Sequence, residues 1–205
     1  MDVAIEAVGV LAAMLSAAFF FPQALRAVRH GTKGVSTTTF QMVVVIGTVW
    51  LLYGVVEHLP ALIFGNAPVL VCAVVVLACC VRDGSRVRDV VPVALAGLAV
   101  AAIVWIVFGP SQIGWISAAL GISMRVPQLR AVRASESIEG VSAITWWLGI
   151  ANNAAWIIYA IPHGDYRIPI ACVIQIALAA SLLRAISRKR HRGALETVVD
   201  EVEHP

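Results

Sequence analysis

The three asparagines of this chain, Asn66, Asn152 and Asn153, all lie in apolar runs, and each has a tryptophan within reach, Trp50 or Trp156. An indole face can cover the apolar face of a ring-shaped solute, while an amide both donates and accepts hydrogen bonds. Together they suit a small, neutral, hydroxylated ligand. The sequence offers little else that could do chemistry. No nucleophile stands with a base and no cluster of metal ligands forms, so neither an enzyme nor a metal or cofactor is expected. Cys72, Cys79, Cys80 and Cys172 lie in apolar runs without ligand-like pairing to His, and read as small buried side chains.

The elements that must position these residues belong in lipid. The chain is 60% hydrophobic and 13% charged, with a mean hydropathy of +0.88. A soluble domain carries about a quarter charged residues, and a chain this apolar could not cover its own surface with polar groups. A bilayer core takes roughly 20 helical residues. Runs 3–25, 34–56 and 59–81 fit that length. Run 90–124 is uncharged and as one helix would be about 52 Å long, too much for one crossing. Phe108-Gly109-Pro110-Ser111-Gln112 breaks it into two. Runs 140–162 and 168–183 bring the expected count to seven spans. Asp2 and Glu6 replace the basic region of a cleavable signal peptide, so none is expected.

Charge orients the spans. Of the 15 Lys and Arg residues, 14 fall on one side of the seven-span arrangement, leaving Arg167 alone on the other. The positive-inside rule then puts the N-terminus outside and the C-terminus in the cytoplasm, in a multi-pass protein of the cell membrane. The formal net charge of +3 is therefore topological, and nucleic acid is not a partner. The tail from Ser187, basic then acidic, reads as an anchor for lipid head groups followed by a mobile end.

A long stretch occurs twice. Pro22-Gln23 returns as Pro127-Gln128, Gly34-Val35-Ser36 as Gly140-Val141-Ser142, and Trp50-x-x-Tyr53-Gly54 as Trp156-x-x-Tyr159-Ala160. The expected architecture is an all-α integral membrane protein with two parallel three-helix bundles, 1–84 and 110–187. A linker helix at 85–109 restores the orientation of the second copy, and 188–205 forms a cytoplasmic tail. Pro22 and Pro127 free the carbonyls of Ala18 and Ser123 inside their helices and, with Gln23 and Gln128, read as paired hinges of an inner gate. Arg125, inside a span, either snorkels to the cytoplasmic face or locks that gate. At the outer mouth Glu57, His58, His163, Asp165, Tyr166 and Arg167 could pair across the halves, beside Tyr53 and Tyr159.

Trp50 and Asn66 are each eight residues from the centre of the turn near residue 58, which puts both about 12 Å below it, close to mid-membrane. Polar groups at that depth bond a neighbouring helix or line a cavity. In the second copy Trp156 stands opposite Cys172, a poor hydrogen-bonding group, but Asn152 and Asn153 precede it by about one turn. The expected site is asymmetric: Asn66 from one half, Asn152 or Asn153 from the other, between two tryptophans, with Gln175 a weaker candidate.

These motifs, in this order and duplicated, resemble the SWEET and SemiSWEET sugar transporters of the PQ-loop superfamily. The resemblance covers nearly the whole chain, in the three-one-three arrangement of SWEETs. It implies two bundles around one pathway, alternating between inward-open and outward-open states. The Trp and Asn that family members place sixteen residues apart around the sugar correspond to Trp50 and Asn66. The second pair corresponds to Trp156 and Cys172, a departure from the pattern. Spans two and six also lack the prolines that eukaryotic SWEETs carry, so the Pro-Gln pair is closer to the bacterial half-size relatives. The implied function is a bidirectional sugar uniporter for mono- or disaccharides. No Asp or Glu lies deep in a span, which disfavours proton coupling. The alternatives are a PQ-loop carrier of amino acids or other small metabolites, and a non-transporting seven-helix receptor or sorting protein. Retinal is excluded because Lys33 and Lys189, the lysines of the chain, both fall in cytoplasmic segments. The expected partners are the solute and the lipid bilayer, and a homo-oligomer is compatible with the reading.

Overall fold

The computed structural model describes residues 3–134 and 143–203, with side chains described except at 126–128, 131–134, 143 and 189–203. Among the described residues there are eight α-helices and no strand. They are α1 (Val3–His30), α2 (Thr37–Val56), α3 (Pro60–Arg82), the four-residue α4 (Val87–Val90), α5 (Pro92–Phe108), α6 (Ile113–Ala134), α7 (Ala143–Ala160) and α8 (Arg167–Glu203). Four are long and apolar enough to cross a membrane: α1, α2, α3 and, over Arg167–Arg188, α8. Helix α5, with 17 residues, is a shorter apolar helix.

Local chemistry sets the boundaries. The long uncharged run breaks where the sequence predicts. Helix α5 ends at Phe108, Gly109 takes a φ of +91°, and Pro110 opens a 3₁₀ turn over Pro110–Gln112. Gly34-Val35-Ser36 proves to be a device for starting α2. Gly34 supplies a φ of +81°, and Ser36 caps α2, its Oγ accepting from the Thr39 N–H at 3.3 Å. Pro60 and Pro92 occupy first-turn positions of α3 and α5, where a missing N–H costs nothing. Pro22 lies inside α1 and is exposed, as is Gln23. The tail differs from expectation. Beyond Ser187 the backbone of α8 continues as helix to Glu203 rather than ending in irregular chain. Residues 188–203 are rich in Arg, Lys, Ala, Leu and Glu, all good helix formers, and contain no proline.

Helices α1 and α2 pack on α3, and α6 and α7 pack on α8, giving two three-helix bundles. They meet where α1 lies against α7 and α2 against α6. Helix α5 packs chiefly on α2, with Gly97 so close to Val45 that a Cβ there would lie 2.6 Å from a valine methyl.

The cores are distributed unevenly along the bundle axis. At the end of the α2–α3 and α7–α8 turns, one apolar cluster joins both bundles, taking Ala12, Val49, Tyr53 and Leu62 from one and Trp156, Tyr159, Ile168 and Cys172 from the other. At the opposite, basic end each bundle has its own. Phe40, Val43, Cys72, Val76 and Cys80 cluster in the first, and Leu129, Leu182 and Ile186 in the second. Among the described residues only Met124 of α6 reaches across to the first of these.

Candidate functional site

At mid-height α2 and α3 run side by side, with Gly54 facing Leu62 and Ile63, and Gly47 facing Leu70. That register puts Trp50 level with Asn66. Trp156 reaches the same level from α7, its Cζ2 lying 3.1 Å from where a Cβ on Gly65 would stand. The structure thus brings Trp50, Asn66 and Trp156 to one height. Trp156 is buried, whereas Trp50 is half-buried.

Their polar partners differ. The Asn66 amide turns to its own helix, Nδ2 donating to the Leu62 carbonyl at 2.9 Å, and its Oδ1 makes no hydrogen bond among the described residues. Asn153 does likewise, donating to the Gly149 carbonyl at 2.7 Å, and is buried. Asn152 reaches across the bundles, its Oδ1 accepting from Ser16 Oγ of α1 at 3.2 Å. The same Ser16 oxygen accepts from the Trp156 indole N–H at 3.3 Å. So of the two asparagines left open by the sequence, Asn152 faces the interface. Cys172 is buried in the shared core, and Gln175 of α8 lies near Gly121 of α6.

Toward the turn end, the two repeated tyrosines cross over. Tyr53 of α2 lies on Gly114 of α6, where a Cβ would stand 3.0 Å from its ring. Its hydroxyl donates to Asp165 Oδ2 in a short hydrogen bond and accepts from Arg167 Nη1 at 2.8 Å. The other oxygen of Asp165 takes the backbone N–H groups of Arg167 and Ile168, at 2.7 and 3.1 Å, capping the start of α8. Arg167 also lies over the rings of Tyr53 and Tyr166 and 3.8 Å from Glu57 Oε1. Tyr159 of α7 lies on Gly9 of α1, where a Cβ would stand 2.6 Å from both the ring and Ala61 Cβ. Its hydroxyl oxygen is buried without a hydrogen bond of normal geometry, although the Ala61 backbone N–H faces it. Beside it His163 stacks at 4.5 Å, with Nδ1 2.8 Å from the Tyr159 carbonyl and Nε2 3.2 Å from Glu6 Oε1. His58 is exposed, at a φ of +55°, and joins neither group.

At the basic end Arg125 lies over the Trp146 ring, 5.1 Å from its centroid and within the second bundle. Asp83, just beyond α3, accepts from Arg82 Nε at 2.8 Å and from the Thr32 N–H and Oγ1 at 2.8 and 2.9 Å. The Arg82 guanidinium first, and then Thr32, hold its carboxyl well below the usual range, at about 2. The side chains of Pro127 and Gln128 lie outside the described residues, as does Gly140-Val141-Ser142.

Sequence reasoning missed Ser16, Gly9 and Gly114. The glycines carry a readable signal, since each stands thirteen residues before its Pro-Gln. Ser16 carries none, because a serine in an apolar helix commonly bonds its own carbonyl four residues back, and this one also does so, to Ala12 at 3.0 Å.

No protein-family model and no curated protein matches the sequence. Among solved structures, the chain is similar to a 3.7 Å resolution structure of a eukaryotic SWEET transporter, with a TM-score of 0.73 over 93% of this chain and 98% of that one, at 16% identity. The chain therefore has the fold of a SWEET transporter, in an all-helical, multi-pass membrane protein.

Proposed function

We propose that this protein carries a small neutral solute, a mono- or disaccharide, across the cell membrane by alternating access and without an ion gradient. All seven long helices cross the bilayer, α5 joins the two bundles, and the N-terminus lies outside. The observation that carries the reading is the uneven core: one apolar cluster seals the bundles together at the turn end, and two separate ones serve them at the basic end. Two units so joined can rock about mid-height. At that height lie Trp50, Asn66, Asn152 and Trp156, aromatic faces beside amides, as hydroxylated rings require. Cys172 closes the wall opposite Trp156, and Asn153 supports it from within its own helix. Tyr53, Asp165 and Arg167 latch the outer mouth, with Tyr159 packed beside them. Pro22-Gln23 and Pro127-Gln128 flex at the inner end, and Arg125 braces it against Trp146. The likeness in fold to a structure described as a SWEET transporter supports the same class of activity.

Proteoliposomes holding the full chain test this with radiolabelled glucose, sucrose and amino acids, with and without a pH gradient. Sugar uptake that equilibrates and ignores the gradient is expected. Gradient-dependent flux, or flux of amino acids alone, would overturn the uniporter. Absence of all flux would favour a receptor or sorting role on the same fold.

A further inference from the structure

Ser16 stands six residues before Pro22, and the residue six before Pro127 is Gly121. The two positions are therefore counterparts in the repeat, and only one carries a hydroxyl. An indole N–H can only donate, so in the contact with Trp156 the Ser16 oxygen must accept. Its own proton is left for Asn152 Oδ1 at 3.2 Å or the Ala12 carbonyl at 3.0 Å. One hydroxyl from the first bundle thus ties down an indole of the second and stands within hydrogen-bond distance of its amide. Trp50, the counterpart of Trp156, faces no such group, and its indole N–H makes no hydrogen bond among the described residues. A Cβ on Gly121 would lie 3.5 Å from Gln175 Nε2, an ordinary contact, so a serine would fit there.

We propose that Ser16 is a positioning residue that makes the two walls of the solute site unlike, holding Trp156 and Asn152 fixed while Gly121 leaves Trp50 free to adjust. The inference rests on the mid-height cluster being the solute site. When the Ser16 proton goes to its Oδ1, Asn152 turns its NH₂ group, a pure donor, away from the serine. Asn66, with one of its two N–H groups given to Leu62, keeps its acceptor oxygen unused. At one height the second bundle then offers a donor and the first an unused acceptor, which a hydroxyl can satisfy in sequence by accepting from one and donating to the other. A fixed indole selects ring shape, and a mobile one tolerates a second ring beyond it.

The test uses the full chain in lipid, labelled with 5-fluorotryptophan, with the Trp50 and Trp156 signals picked out of the six fluorine resonances through Trp50→Phe and Trp156→Phe. Ser16→Ala should move the Trp156 resonance and leave that of Trp50, Ser16→Thr should restore it, and Gly121→Ser should move the Trp50 resonance instead. In uptake of glucose and sucrose, Ser16→Ala should raise KM roughly fivefold with the maximal rate within about twofold, as loss of one hydrogen bond implies. Gly121→Ser should change the glucose-to-sucrose ratio. A Trp156 resonance unmoved by Ser16→Ala overturns the proposal, and so does one that moves while both KM values stay constant. Wild-type protein carrying neither sugar would overturn the solute reading, while the spectrum alone would still decide whether Ser16 holds Trp156.

Discussion

Tyr53 and Tyr159 hold the same place in the two copies of the repeat, and each lies against a glycine of the opposite bundle. There the likeness ends. Tyr53 is fully buried with its hydroxyl between Asp165 and Arg167, whereas the equally buried Tyr159 leaves its hydroxyl oxygen without a good partner. The apolar seat has been kept in both copies and the polar surroundings have not. Shape is constrained by the crossing of helices, which the duplication reproduces. Hydrogen-bond partners sit on turns and helix starts, which can change one residue at a time without disturbing the crossing.

This contrast can be broken by experiment. The largest effect is expected at the glycine seats. Gly9→Ala places a methyl 2.6 Å from both Tyr159 and Ala61 and should cost about 1–3 kcal/mol, read as lost thermal stability of the purified protein in detergent. Gly114→Ala meets the Tyr53 ring edge at 3.0–3.2 Å and should cost less. Equal losses would mean that the two seats are as tight as each other. Next comes the hydroxyl itself. Tyr53→Phe removes a partner from a buried carboxylate, and the same measurement should show a loss of about 1–3 kcal/mol. Tyr159→Phe removes an oxygen that bonds nothing well and should stay within about 0.5 kcal/mol. A reversed order would end the comparison. The smallest effect lies far from both, at Asp83. Its folded pKa of about 2 is depressed below the ordinary carboxylate value, so its stabilising contribution is present above that ordinary value and lost as pH falls toward 2. Asp83→Asn should therefore be slightly less stable than wild type at pH 7, with the gap closing on acidification. A gap that persisted at pH 2 would assign the effect to geometry rather than charge.

Most of the helical layout can be read from the residues, because lipid imposes lengths and glycine and proline impose breaks. The division at Phe108–Gln112 and the repeat both follow from that. The contacts between bundles could not be read so far. Nothing in the local sequence says that Asn152 rather than Asn153 reaches across, since one helical step separates them and the answer depends on where α1 lies. Ser16 was invisible for the same reason, because its second and third partners are more than a hundred residues away. The continuation of α8 past Ser187 was hidden by charge, which reads as solvated chain although the same residues favour helix.

Gln41 of α2, buried to 1% exposure, donates to the Asp89 carbonyl and accepts from the Val93 N–H, both at 2.9 Å. One amide thereby rivets α4 and the start of α5 to the first bundle, and Gly97 against Val45 fastens the same helix further along. Alike as repeats, the halves are unequal as packed bodies: α5 adds to the first bundle, so four long helices face three, and the chain passes from one body to the other through the few residues of Gly109–Gln112. A chain cut there and expressed as two pieces should separate into that four-helix body and the three-helix bundle that follows it.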